Sequence, residues 1–182
     1  MKKFIVAFSI MALTLTQSAK AQMYTYKDGS VSFFSKTAME DIDAHNTKTN
    51  VLLQIAEKKI AFIAYNTDFK FVSKLMEEHY NEKYVESEKF PMATFLGKIN
   101  EDIDLTKEGV YNVTVTGNFT LHGVVKERTI PGTITVKSGE INVKAVFPVT
   151  CGDHKIIIPT LVVAKVSEKV DVTVNVNLVP KK

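Results

Sequence analysis

Residues 75–84, LMEEHYNEKY, place three glutamates, one histidine and two tyrosines within ten positions. Side chains of these types could supply a general acid and base, or hold a metal ion through imidazole and carboxylate. Helical spacing argues otherwise. Glu77, Glu78, Asn81 and Glu82 project away from the side shared by Leu75, Met76 and His79, so the carboxylates are expected on a solvated face. The apolar side, preceded by Phe69 and Phe71, would cover one end of whatever lies beneath it, with Tyr80 and Tyr84 at the rim.

The remaining histidines, His45, His122 and His154, form no HxH or HxxxH pair with each other or with His79. Cys151, Asp153 and His154 are the only short-range group with ligand chemistry, and a polar turn accounts for them without a metal. Nucleophilic catalysis would require a Ser, Thr or Cys beside a base and an oxyanion hole. No GxSxG elbow is present, and a lone Cys151 reads as a small turn or buried thiol. His122-Gly123 ends an alternating segment; by parity the imidazole falls with the outward polar residues, unless a bulge at Gly123 re-aims it.

Period-two alternation dominates the elements that must position these groups. In VYNVTVTGNFTL, Tyr111, Val113, Val115, Phe119 and Leu121 share one face and Asn112, Thr114, Thr116, Asn118 and Thr120 the other. The segment from Val170 to Leu178 repeats the device. Further strands are expected near 31–35, 51–55, 59–65, 93–99, 130–136, 141–147 and 156–163, with turns at Asp28-Gly29, Lys107-Glu108-Gly109, Ser138-Gly139 and Cys151-Gly152-Asp153. One helix is expected from Ser73, as its cap, to about Asn81. Eight or nine short antiparallel strands must pack as a sandwich or close into a barrel, and closure removes the exposed edges. A membrane-spanning barrel would place apolar side chains and aromatic girdles outside; the chain has no Trp, and most of its expected strands fall short of the roughly 9–11 residues a span needs.

The chain opens with Lys2 and Lys3, an apolar run from Phe4 to about Leu15, and Ala19-Lys20-Ala21, which together read as a signal peptide over residues 1–21. The run is too short for a transmembrane anchor, which needs about 20 residues, so a periplasmic or secreted domain of residues 22–182 is expected. The leader holds three of the 23 basic residues and none of the 20 acidic ones, so the rest of the chain is formally neutral. A neutral domain lacks the cationic field that a phosphate backbone requires, which makes nucleic acid an unsuitable partner. With one cysteine there is no intramolecular disulfide.

Four stretches, FFSKTAMEDIDAHN (33–46), FKFVSKLMEEHYNEKYVESEKFPMATFLGKI (69–99), YNVTVTGNFTLHGVVK (111–126) and DHKIIIP (153–159), in this order and spacing resemble the YceI-like family of secreted, lipocalin-like proteins associated with polyisoprenoid binding. The resemblance spans nearly all of residues 22–182. It implies an all-β fold, an extended antiparallel eight-stranded lipocalin-like barrel with a short helical insertion. It also implies an isoprenoid lipid ligand, a polyprenyl phosphate or a quinone-like tail, with no cofactor and no enzymatic activity; a homodimer is suggested by resemblance alone. Two departures from the family pattern are a short amino-terminal strand and His154 at a position where an aromatic residue is expected.

The barrel interior, its helical cover and its mouth together nominate Phe33, Phe62, Phe69, Phe71, Leu75, Met76, Tyr84, Phe95, Phe119, His122, Phe147 and Ile158 as ligand-binding residues, with Tyr84, His122 or Lys126 near a head group. Each buried methylene contributes about 0.8 kcal/mol, so several isoprene units carry ample driving force. Inward aromatics also fill cores, which leaves two rivals: a solid barrel serving as a structural or interaction module, and a histidine- or metal-dependent enzyme or antioxidant.

Overall fold

The computed structural model describes residues 22–37, 39, 41–159 and 167–181. Ten strands occur in the order β1 (Met23–Lys36), β2 (Asp41–Asn46), β3 (Asn50–Gln54), β4 (Lys59–Tyr65), β5 (Lys70–Phe71), β6 (Met92–Ile99), β7 (Gly109–Leu121), β8 (Val124–Lys137), β9 (Glu140–Thr150) and β10 (Lys169–Pro180). Between β5 and β6 lies the short helix α1 (Lys74–His79), which runs on into a wider turn over Tyr80–Tyr84.

Antiparallel pairing runs β10-β9-β8-β7-β6-β4-β3-β1, and β1 pairs back onto β10. Eight strands therefore close a barrel, as expected. Strand β1 uses one edge twice. Its first residues pair with β3 (Met23↔Gln54) and its last with β2 (Phe34↔Asp43), while β5 adds two residues to β2 (Ala44↔Phe71).

The barrel is closed at the end where β1 begins. Tyr24, Leu53, Ile99, Leu105, Ile141, Val176 and Leu178 are all buried there and form a solid floor. The polar residues Asn112, Thr114, Thr116 and Asn118 of β7 alternate with inward Val113, Val115 and Phe119, the reverse of the lipid-facing pattern of a membrane barrel. No helix among the described residues is long and apolar enough to cross a membrane.

Four sequence expectations are corrected. The amino-terminal strand is not short: β1 has 14 residues, because Asp28-Gly29 is no turn. The register shift between Tyr26 and Asp28 leaves Lys27 as a bulge, which moves the inward parity from Tyr24 to Val31 and Phe33. Residues 156–159 form no strand, since Cys151–His154 make a single 3₁₀ turn that ends on Lys155 in the left-handed region (φ 59°); the remainder of that expected strand, and the leader, lie outside the described residues. Strands β2 and β5 were not anticipated. At Gly97 the Phe95 ring and Val115 occupy the space a Cβ would take.

Candidate functional site

Above the floor the barrel is hollow. A cavity of about 550 Å³ extends from Ile60, Val113, Ile134 and Val174 up to the helical insertion, which bridges its open end. Inward positions of β4, β6, β7, β8, β9 and β10 supply an almost wholly apolar wall, with Phe62, Phe95, Phe119 and Phe147 projecting into it. The volume lies in the ordinary range for small-molecule sites, about 300–1,000 Å³.

The insertion is held by a cap that the sequence predicts and by ties that it does not. Ser73 caps α1, its Oγ accepting from Met76 N at 3.4 Å. Glu77, expected in solvent, instead ties α1 to β5: Lys70 Nζ donates to Oε1 at 2.6 Å and Phe71 N to Oε2 at 3.3 Å. The Lys70 contact, aided by the Phe71 amide, holds the Glu77 carboxyl below its ordinary range against the opposing effect of burial. Asn81 is likewise structural, donating to Glu77 O at 2.8 Å and accepting from Ser87 Oγ at 2.6 Å.

Beneath α1 sits an aromatic cluster. Phe33, Phe69, Phe71 and Tyr80 approach one another with ring centroids 5.2 to 5.9 Å apart. Such separations suit tilted and edge-on packing, and they fix the insertion against β1. Tyr80, expected at the rim, is inside the cluster; burial raises its phenol well above the usual range, and it donates to Asn66 Oδ1 at 3.3 Å.

Eleven of the twelve nominated residues line this cavity: Phe33, Phe62, Phe69, Phe71, Leu75, Met76, Tyr84, Phe95, Phe119, Phe147 and Ile158. His122 does not. With Gly123 it forms a two-residue hairpin turn joining β7 to β8, both residues at positive φ (50° and 69°). The imidazole thereby points into the barrel's rim, where Nδ1 donates to His154 O at 3.0 Å, Nε2 meets Glu86 Oε2 at 2.6 Å and the ring lies edge-on to Phe90. Lys126 is also absent from the wall.

Sequence reasoning missed Val31, Thr49 and Cys151 in the wall. Val31 shares the parity of Phe33, and Cys151 continues the inward series Ala145, Phe147, Val149, so both carried a signal; Thr49, in a connection, carried none.

Catalytic chemistry finds little support here. Burial, followed by the charge of Glu168, pushes the Cys151 thiol up to about 11, which leaves little thiolate at neutral pH. His154 is fully buried, donates from Nδ1 to Val124 O at 3.2 Å and sits edge-on to Phe119; burial lowers its affinity for a proton. The position where an aromatic residue was expected thus still presents a ring to Phe119. His45 pairs with Asp43 on the exposed face of β2, and His79 lies at the cavity. Among the described residues no three His, Cys, Asp or Glu side chains converge as a metal site.

The molecule is therefore a one-ended, lipocalin-like β-barrel with an apolar chamber. A model of the YceI-like domain matches residues 8–178, and the chain belongs to the YceI-like family. Among solved structures, the polyisoprenoid binding domain from Saccharophagus degradans, described as implicated in plant cell wall breakdown, is similar at 13% identity and a TM-score of 0.74, over 87% of this chain and 98% of that one. BcnA of Burkholderia cenocepacia is similar at 17% identity and a TM-score of 0.69, over 81% and 94% respectively. The Campylobacter jejuni YCEI protein is similar at 16% identity and a TM-score of 0.57, over 100% and 99%. These likenesses establish the shared fold. No functionally curated protein matches the chain.

Proposed function

We propose that the protein is a secreted or periplasmic carrier that sequesters or transports a long isoprenoid lipid, a polyprenyl phosphate or quinone-like molecule, with its tail in the barrel, and that it performs no catalysis. The enclosed apolar chamber carries this reading: a solid barrel serving only as a structural module would have no such space. Family membership and the polyisoprenoid-binding relative support the same ligand class.

Volume limits how much of the ligand is enclosed. The chamber is finite, about 550 Å³, and is bounded below by the floor. Because the floor is solid, a longer chain must leave its remainder and its head group at the end covered by α1. Affinity comes from burying methyl and methylene groups at about 0.8 kcal/mol each, less the cost of ordering a flexible chain.

Organic extraction of protein purified from its native host tests this reading. A stoichiometric isoprenoid lipid is expected in the extract. Protein that yields none, and whose melting temperature is unmoved by added polyprenols and quinones, would remove the proposal.

A further inference from the structure

The residues around the open end are unusually apolar for a surface. Val72 is 99% exposed, Ile157 80%, Met39 67% and Leu75 59%. They come from three separate segments that the topology brings to one end. Met39 lies in the β1–β2 connection; Val72 and Leu75 follow β5, which runs along β2 toward that connection; Ile157 follows the 151–154 turn. Two hydrogen bonds tie the ends of β1 and β9 to the residues before β10 at this end: Ser167 N donates to Ser35 Oγ at 3.1 Å and Cys151 N to Glu168 O at 2.8 Å. Leu75 also lines the cavity, so the exposed apolar rim is continuous with the apolar interior.

Each segment further carries an exposed lysine without an ion pair among the described residues: Lys36, Lys74 and Lys155. Exposed Asp41 and Glu78 at the same end bring the local charge close to balance. Aliphatic side chains with lysines beside them match a bilayer interface, where the former enter the acyl boundary by about 5–10 Å and the latter reach phosphates. A rim of both signs suits a zwitterionic headgroup layer.

We propose that this rim seats the open end of the barrel on a lipid bilayer, so that a tail passes between membrane and cavity without crossing water. The proposal rests on the lipid-carrier reading above and adds the surface through which loading occurs. A second copy of the chain is the competing occupant.

The test expresses the full chain, recovers the exported protein, and floats it with phosphatidylcholine vesicles alongside a Val72→Glu/Ile157→Glu variant. Neither substituted residue lines the cavity. Wild type is expected to float, and the variant to lose vesicle binding at least about tenfold, since two aliphatic insertions are replaced by charges. Uptake of geranylgeraniol from cyclodextrin should be equal in the two proteins, and uptake from vesicles slower in the variant. A milder Val72→Ala/Ile157→Ala variant, expected to show a smaller loss, keeps the test informative if the charged one fails to fold. Wild type that does not float, equal flotation of both proteins, or a variant that merely converts a dimer to a monomer overturns the proposal. Failure of wild type to take up geranylgeraniol from cyclodextrin, with flotation still dependent on Val72, would remove the carrier reading and leave the docking surface standing.

Discussion

Glu86 and His122, 36 positions apart in sequence, meet at 2.6 Å across the rim of the barrel. His122 Nδ1 donates to the His154 carbonyl, and its Nε2 faces the Glu86 carboxylate. Both residues hold positive φ, 46° and 50°, a conformation non-glycine residues adopt only when their surroundings require it. The contact fastens the segment that follows α1 to the β7–β8 hairpin, and so positions the cover of the cavity.

Breaking that contact should loosen the cover. His122→Asn tolerates the left-handed turn but cannot reach both partners. It is expected to cost about 1–2 kcal/mol, seen as a lower melting temperature, and to speed ligand release in a stopped-flow chase. Glu86→Gln should weaken the same contact while leaving the hairpin intact. Unchanged stability and release in both variants would show that the pair does not hold the cover.

The Glu77 tie predicts a direction with pH. Its carboxyl is held below the ordinary range in the folded protein, chiefly by Lys70, so it binds a proton more readily when unfolded. The stability it contributes is present above the ordinary glutamate range and lost as pH falls through the lowered folded value. Glu77→Gln should therefore lower stability by less than about 1 kcal/mol at pH 7 and flatten the acid limb of a denaturation profile. An acid limb identical to wild type would contradict the assignment.

Cys151 offers a footprint of occupancy. Burial takes its thiol from 9.0 to about 11, about a hundredfold less thiolate at a given pH near neutrality. Alkylation at pH 8 should be slow in the free protein, and slower still with ligand bound, because Cys151 lines the cavity. Mass spectrometry of iodoacetamide-treated protein reads both rates; rapid labelling that ligand does not alter would place the ligand elsewhere.

Tail length should show a break. Affinity is expected to rise from geraniol through geranylgeraniol and to level off at the length that fills the chamber. Titrations across a prenol series measure this. A steady gain through much longer chains would require a second enclosed space.

Much of the barrel was legible because β6 to β10 are long and each keeps one parity along its length, so alternation reports facing directly. Phe95, Phe119 and Phe147 follow from that parity, Phe62 from the same alternation in β4, and Phe69, Phe71, Leu75 and Met76 from the apolar side of the insertion, whereas Ile158 reaches the cavity although the strand expected there does not form. What failed did so where parity is broken or carries no information. The Lys27 bulge inverts the facing of β1 midway, hiding its first half. The Ile156–Ile158 run looked like a strand, but the 3₁₀ turn before it and the left-handed Lys155 send it across the barrel end. His122 was assigned by parity, whereas a two-residue turn frees its ring from the strand's alternation. Glu77 was assigned to solvent because helical geometry cannot show that β5 lies beside it. Thr49 sits in a connection, where no periodicity exists.

The central claim is that the hollow between the floor and α1 is where the lipid tail lies. Ala145 lines that hollow, and a phenyl ring at this position would take up part of it. The direct measurement is a titration of geranylgeraniol into wild type and Ala145→Phe protein, with circular dichroism to confirm the same fold. One-to-one saturable binding by wild type, weakened at least about tenfold by the filled chamber, is the predicted result. Equal affinity in the two folded proteins, or no saturable binding by wild type, would contradict it.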